Sequence, residues 1–432
     1  MINLSLASTI LVGSFILLLI LRMPITFSLF LSSVVTAIYL NISLLSIVQR
    51  LVNGVNSFSL LAIPFFILAG EMMSRGGISR RLIDFSNALI GRYRGGLAQV
   101  NILASMFFGG ISGSAVADVS SIGTMMIPMM NAKGYDDDFS VAVTVTSACQ
   151  GVIIPPSHNM IIFALAAGGG VSVGKLFLGG LLPGVILGVS LMIVTYIIAR
   201  KRNYPKERKY SLKETLKVSG DAVLGMFTMI IIIGGVVSGV FTATESAAVA
   251  VVYSFFITFF VYKEIKLREF KEILLSSLRT LAMVMSLIAA ASSFGYLLAF
   301  LRIPQAITNI LIGISSNKIV LLLLINVMLL LLGTIMDMAP LIIICTPILY
   351  PVVVGALGMD PVQFGVVMIL NLAIGLCTPP VGSALFVGCS IGKISIEKAT
   401  KSMLPFYMMM IIVLIGITFI PQLTLAVPSL MA

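Results

Sequence analysis

What this sequence has least of is charge. Only 10% of its 432 residues are charged and 59% are hydrophobic, with a mean hydropathy of +1.14, whereas a soluble domain carries about a quarter charged residues. No stretch is left over for a soluble catalytic domain, and most of the chain must face lipid or other apolar helices. Histidine is almost missing as well: His158 stands alone, which excludes zinc or haem held mainly by imidazole. The four cysteines, Cys149, Cys345, Cys377 and Cys389, lie in apolar runs without a CxxC pair. That argues against a disulfide framework and a thiolate metal site, and leaves them as small core residues.

A spanning helix takes about 20 mostly apolar residues, so the length admits roughly a dozen membrane segments with short connections. The net charge of +11 could signal nucleic acid, but 20 of the 27 Lys and Arg residues fall in four short stretches, 75–94, 200–217, 263–271 and 393–401. Such clustering is the signature of cytoplasmic loops, and no nucleic-acid partner is expected. Spans are expected near 2–21, 26–44, 57–73, 138–168, 176–199, 221–241, 244–262, 273–299, 362–391 and 405–430. With the N-terminus outside, the first three spans deliver 75–94 to the cytoplasm with Arg50 the one charge on the wrong side, and the later spans keep the remaining basic stretches cytoplasmic. The first run lacks a basic n-region and a small-residue cleavage site, so it reads as a span and not as a cleaved signal. Residues 300–317 are short and broken and are expected to lie sideways.

Two further stretches, 96–130 and 319–357, are apolar at both ends with a polar, glycine-bearing middle. Their arms are short for a full crossing, which predicts re-entrant helical hairpins with tips at membrane depth. An internal repeat accompanies them. Asp118 precedes Pro128 by 10 residues and Gly134 precedes Pro155 by 21; Asp337 precedes Pro347 by 10 and Gly358 precedes Pro379 by 21. Pro155-Pro156 and Pro379-Pro380 each open an unwound point in the following span. Five full spans separate the hairpins, an odd number, so the second should enter from the opposite face. The expected fold class is thus an all-α polytopic membrane protein built as an inverted repeat, the architecture of many secondary transporters.

Breaking a helix in lipid strands backbone groups that cost several kcal/mol each unless satisfied. Free carbonyls and hydroxyls there suit sodium, and free N–H ends favour an anion. One cluster is expected to join Ser112, Gly113 and Ser114 of the first tip to Pro155, Pro156, Ser157 and Asn159. The other joins Gly333, Thr334 and Asp337 to Thr378, Pro379, Gly382 and Ser383. The bland alternative is close packing through small residues, but four breaks in register favour a site. Within these clusters Pro156, Asn159 and Ser383, with Asp118 and Arg302, are assigned to the substrate, and the remaining residues to sodium. Asp118 and Asp337 are acids in apolar surroundings, costly by at least about 2.5 kcal/mol each on insertion scales; a helix-capping role is the alternative for both. Arg302 precedes Pro304 and could grip a carboxylate with two parallel hydrogen bonds or snorkel at an interface. Glu245, in TATES, reads as a helix cap. Residues 263–279 alternate charge and apolar side chains as an amphipathic arm would.

The same residues carry a family resemblance. GGISGSAVADVSSIGTMMIPMM followed by GVIIPPS, and GTIMDMAP followed by GLCTPPVG, resemble the large membrane subunit of TRAP transporters, the tripartite ATP-independent periplasmic systems. The resemblance implies an elevator-type fold of the wider ion-transporter superfamily in the bacterial inner membrane, with no enzymatic activity. The division it suggests is scaffold spans and an arm (1–95), a first transport repeat (96–200), scaffold spans and an amphipathic arm (201–318), a second transport repeat (319–400) and a C-terminal span (401–432). It also implies sodium-coupled uptake of an organic acid of the C4-dicarboxylate or sialic acid class. The implied partners are a periplasmic substrate-binding protein and a small four-helix membrane subunit, expected as a separate chain; Na+ is the coupling ion and no cofactor is implied. Two rivals remain: a stand-alone sodium-dicarboxylate symporter, and an intramembrane aspartyl protease using Asp118 and Asp337. The protease reading lacks a GxGD motif and leaves the double-proline breaks unexplained.

Overall fold

The computed structural model of the chain describes residues 4–315 and 317–431, and every regular element among them is helical. That is the outcome lipid demands, because a helix satisfies its own backbone groups.

The first half runs α1 (Leu4–Ile20), α2 (Ile25–Tyr39), α3 (Leu44–Val55), α4 (Ala62–Arg75) and α5 (Ile78–Ile90). A hairpin follows: α6 (Gly96–Ser112) descends, and α7 (Ala115–Asp118), a π-helical turn (Val119–Gly123) and α8 (Thr124–Ala132) return. Next come a broken helix, α9 (Asp137–Gly151) and α10 (His158–Ala166), and the long α11 (Val173–Lys201). The second half repeats this order with α12 (Leu212–Val237), α13 (Ala243–Phe256), α14 (Phe270–Phe300) and α15 (Ile303–Ile314). Its hairpin is α16 (Lys318–Gly333) and α17 (Met338–Tyr350), again ending in a π-helical turn (Pro351–Ala356). Its broken helix is α18 (Pro361–Leu376) with α19 (Ser383–Gly392), followed by α20 (Ile396–Phe419) and the short α21 (Gln422–Leu425).

Placing the four basic stretches inside orients every element. Hairpin one enters from the cytoplasm, and its loop Lys133–Asp136 lies at the inner face. Helix α14 runs outward, so α15, only 12 residues long, lies at the outer face, too short to cross. Hairpin two then enters from outside. Helix α3 is also 12 residues and lies at the outer face between α2 and α4.

One expectation is corrected. The amphipathic arm expected over 263–279 is shorter: only the segment before Phe270 is separate, and the rest forms the first turns of the 31-residue α14. No glycine or proline interrupts 264–294, so nothing stops the helix there. At about 1.5 Å per residue α14 is roughly 46 Å long, and its first turns stand in the interfacial zone outside a hydrocarbon core of about 30 Å.

The principal core surrounds α6, α9, α11, α18 and α20, where Phe108, Phe139, Phe163, Phe364 and Phe406 are fully buried. A second core is separate: Leu11, Leu29, Ile47, Phe294 and Leu297 join α1, α2, α3 and α14. At the inner face the 202–211 crossing is fastened down. Arg202 pairs with Asp136 at 2.7 Å, Tyr204 donates to the same carboxylate at 2.6 Å, and Gly95 N–H reaches Pro205 O at 3.1 Å.

Candidate ion and substrate site

Each hairpin meets its broken helix through a pair of glycines. A Cβ added at Gly109 would lie 2.0 Å from the Cα of Gly151, and one added at Gly333 would lie 3.2 Å from the Cα of Gly375. Backbones approach this closely only where side chains are absent. Amides clasp the same helix pairs: Asn101 Nδ2 donates to Thr144 Oγ1 at 2.6 Å between α6 and α9, and Asn371 Nδ2 donates to Asn326 Oδ1 at 2.8 Å between α18 and α16.

These crossings press each tip against a break. In the first pair, Gly113 turns the chain with φ +62, a conformation glycine adopts without steric cost. Its carbonyl accepts from Asn159 Nδ2 at 3.3 Å, and a Cβ there would stand 3.0 Å from His158 Nδ1 and 3.4 Å from Pro156 O. Ser114 caps α7, accepting from Ala117 N–H at 3.3 Å, and Ser112 Oγ accepts from Ser114 N–H at 3.4 Å. Pro155, Pro156, Ser157 and Asn159 are buried. The Ser157 hydroxyl has no hydrogen-bond partner.

In the second pair the carbonyl of Thr334 accepts from Val381 N–H at 3.0 Å and Gly382 N–H at 3.4 Å. Thr378 Oγ1 turns back to Ile374 O at 2.8 Å beside Pro379. Tyr407 of α20 donates to Cys377 O, satisfying a carbonyl that the break releases. The Ser383 hydroxyl, like that of Ser157, is buried without a partner. Both double-proline steps are cis.

The two pairs form one unit. Cys149 Sγ donates to Ala373 O at 3.0 Å and Cys377 Sγ to Val145 O at 3.3 Å, so α9 and α18 hold each other just before their breaks. Beyond the breaks the partners exchange, with α10 packing on α17 and α19 on α7 and α9. In sequence these cysteines look only like small core residues; their reciprocal bonds depend on a helix crossing that no spacing encodes.

Of the other sequence-selected residues, Asp337 stands at the second tip and the rest lie apart from both. Asp118, 1% exposed, accepts from Ser105 Oγ at 3.2 Å, and Ser147 Oγ donates to Ser105 Oγ at 3.3 Å. It faces α6 and α9 in the interior, makes no capping bond, and its second oxygen has no partner. Asp337 does cap: its Oδ1 accepts from Met338 N–H at 2.9 Å, and its side chain is exposed at the second tip. Arg302 sits exposed at the α14–α15 corner with φ +52, outside both clusters. Glu245 closes a capping box with Thr242, accepting from its N–H at 2.8 Å. His158, which sequence reasoning set aside, lies in the first break against Gly113; its position directly after PPS was the available signal.

A helical bundle with two paired hairpin tips and helix breaks at mid-membrane has the build of a solute carrier. Its fold is shared with the solved Neisseria gonorrhoeae MtrF, described as illuminating a class of antimetabolite efflux pumps, at TM-score 0.61 and 15% identity over 87% of this chain and 83% of that one. Residues 12–423 match the family described as "Tripartite ATP-independent periplasmic transporter, DctM component". The C4-dicarboxylate TRAP transporter large permease DctM of Pseudomonas aeruginosa is 40% identical over 90% of both chains, and the sialic acid TRAP transporter large permease SiaM of Vibrio cholerae is 40% identical over 94% of this chain and 95% of its own. The chain belongs to the TRAP transporter large permease family. It is a multi-pass inner-membrane transport protein and not an enzyme, which removes the protease reading.

Proposed function

We propose that this permease couples the inward movement of sodium to the uptake of an organic acid, with the composite tip-and-break unit as the binding site. The supporting observation is the twofold recurrence of a hairpin tip pressed on a helix break, each break holding a buried serine hydroxyl, Ser157 or Ser383, without a partner. An unpaired buried hydroxyl costs about 1–3 kcal/mol; a sodium ion bound by Ser157 and neighbouring carbonyls removes that cost in the first break, and the cargo carboxylate accepting from Ser383 removes it in the second. Ser112, Gly113, Ser114, Pro155 and Ser157 supply oxygens for one ion; Gly333, Thr334, Asp337, Thr378, Pro379 and Gly382 supply them for the other. Pro156, Asn159 and Ser383 lie where the carboxylate cargo meets both. The separate core of α1, α2, α3 and α14 fits a fixed scaffold against which the hairpin-bearing unit travels. A periplasmic binding protein would deliver the acid, of the C4-dicarboxylate or sialic acid class named in the relatives, and a small membrane subunit would complete the complex.

Uptake of labelled succinate and N-acetylneuraminate into proteoliposomes holding the complete complex tests this. The proposal expects a requirement for sodium with a Hill coefficient above one, with Ser157→Ala raising the half-saturating sodium concentration and Ser383→Ala raising the half-saturating acid concentration. Equal rates in potassium and sodium would refute the coupling ion. Full-rate uptake without the binding protein would favour the stand-alone symporter.

A further inference from the structure

A cavity of about 790 Å³ separates the two cores of the protein. One wall is α3 and α14, with Arg50, Asn53, Ser292 and Tyr296; the facing wall is α10 and α17, with Ile162 and Ile343. Gly168 and Gly169, in the outer-face loop after α10, line its rim, so the cavity opens on the periplasmic side. Helix α10 leads down from it to the first break, and α17 leads down to the second tip. Anything moving from the outer face to the composite site along this wall passes through it.

Arg50 is the only charged residue lining the cavity, and among the described residues no carboxylate pairs with it. Its guanidinium carbon lies 4.5 Å from the centroid of the Tyr296 ring. Stacking on the ring face holds the planar group while leaving its N–H edges free for a carboxylate fork. A lone uncompensated cation beside apolar walls concentrates anions from the periplasm.

The geometry points to this cavity as a receiving site for a small carboxylate ahead of the composite site, with Arg50 as the binding residue. The guanidinium grips the carboxylate through two N–H bonds, Asn53 offers a further polar contact, and the apolar facing wall takes the carbon skeleton. The inference rests on the proposal that the cargo is an organic acid. It assigns to Arg50 the role that sequence reasoning gave to Arg302.

The test uses the complete complex with Ser292→Cys as a reporter; the four native cysteines are buried, so an impermeant maleimide reads the new thiol. Sodium succinate and sodium N-acetylneuraminate are the probes, and succinamide is the uncharged control. At least one acid should slow labelling, and succinamide should not. Arg50→Gln should raise the acid concentration for half-protection by about tenfold or more, with Arg50→Lys between it and wild type. The labelling rate without acid reports whether each variant keeps its fold. Equal protection in Arg50→Gln overturns the assignment. So does protection by the binding protein alone with no effect of either acid, which would make Arg50 a protein contact. Absence of protection by an acid that the complex takes up with sodium overturns the receiving site and leaves the transport reading standing. Protection without sodium-driven uptake fails the transport reading instead.

Discussion

At the Gly109–Gly151 crossing two helix backbones meet with no room for a side chain, and adding one methyl there perturbs the contact directly. A Cβ on Gly109 would stand 2.0 Å from Gly151 Cα, whereas carbon atoms rest at about 3.5–4.0 Å. Helix α6 must therefore move from α9 by roughly 1.5–2 Å. Three hydrogen bonds cross the same interface: Asn101 to Thr144 at 2.6 Å, Gln150 to Ile102 O at 2.6 Å and Ser147 to Ser105 at 3.3 Å. A displacement of that size takes all three past bonding distance. At about 0.6–1 kcal/mol each in a membrane interior, they contribute about 2–3 kcal/mol, offset by up to about 1 kcal/mol from alanine's better helix propensity. Gly109→Ala should thus destabilise by about 1–3 kcal/mol, counting the lost packing. The buried native cysteines supply the assay, because a thiol-reactive dye gains fluorescence as heating exposes them. Gly13→Ala is the control, since nothing lies within 4 Å of its added Cβ. Gly333→Ala, with its nearest atom at 3.2 Å, should fall between them. If Gly109→Ala melts with the wild type, or if Gly13→Ala loses as much, the close-crossing argument is wrong.

Asn371→Ala should lose about 0.5–2 kcal/mol by stranding the buried Asn326 carbonyl oxygens it now satisfies; the same dye assay reads it, and an unchanged melt would show the clasp contributes nothing. At the inner face, Tyr204 donates to Asp136 and, with Arg202 beside it, holds that carboxyl below its ordinary range. A depressed carboxyl stabilises the fold above its unfolded value of about 3.9 and loses that contribution as pH falls through the lower folded value. Tyr204→Phe should therefore cost a fraction of a kcal/mol at this exposed site, evenly from about pH 8 to pH 5, with the gap closing below about 3.9; recovery of monodisperse protein after a heat step measures it. Thr242→Val should fray the start of α13 by opening its capping box with Glu245, seen as faster amide exchange there; unchanged exchange at 243–246 would count against the cap.

Much of the architecture was legible because lipid leaves the backbone few choices. The matching spacings around Asp118 and Asp337 and the two double prolines located both hairpins and both breaks, and the basic loops oriented them. Element ends were less legible where nothing marks them: 263–279 looks amphipathic, but without a breaker it runs on into α14. Side-chain roles depended on geometry that no spacing encodes. Asp118 and Asp337 occupy matching places in the repeat, yet one is sealed between α6 and α9 while the other caps a tip at the surface. Arg302 and Arg50 look alike as isolated cations in apolar sequence; only the packing of α3 on α14 puts Arg50 over Tyr296 in a cavity and leaves Arg302 at a corner.

An inverted repeat requires the hairpins to dip in from opposite membrane faces, and single-cysteine accessibility reads that directly. Ala132 and Ala356, both exposed, sit at the bases of hairpins one and two. An impermeant maleimide should label Ala356→Cys in right-side-out vesicles and Ala132→Cys only in inverted ones. Labelling of both from the same side would contradict the inverted arrangement.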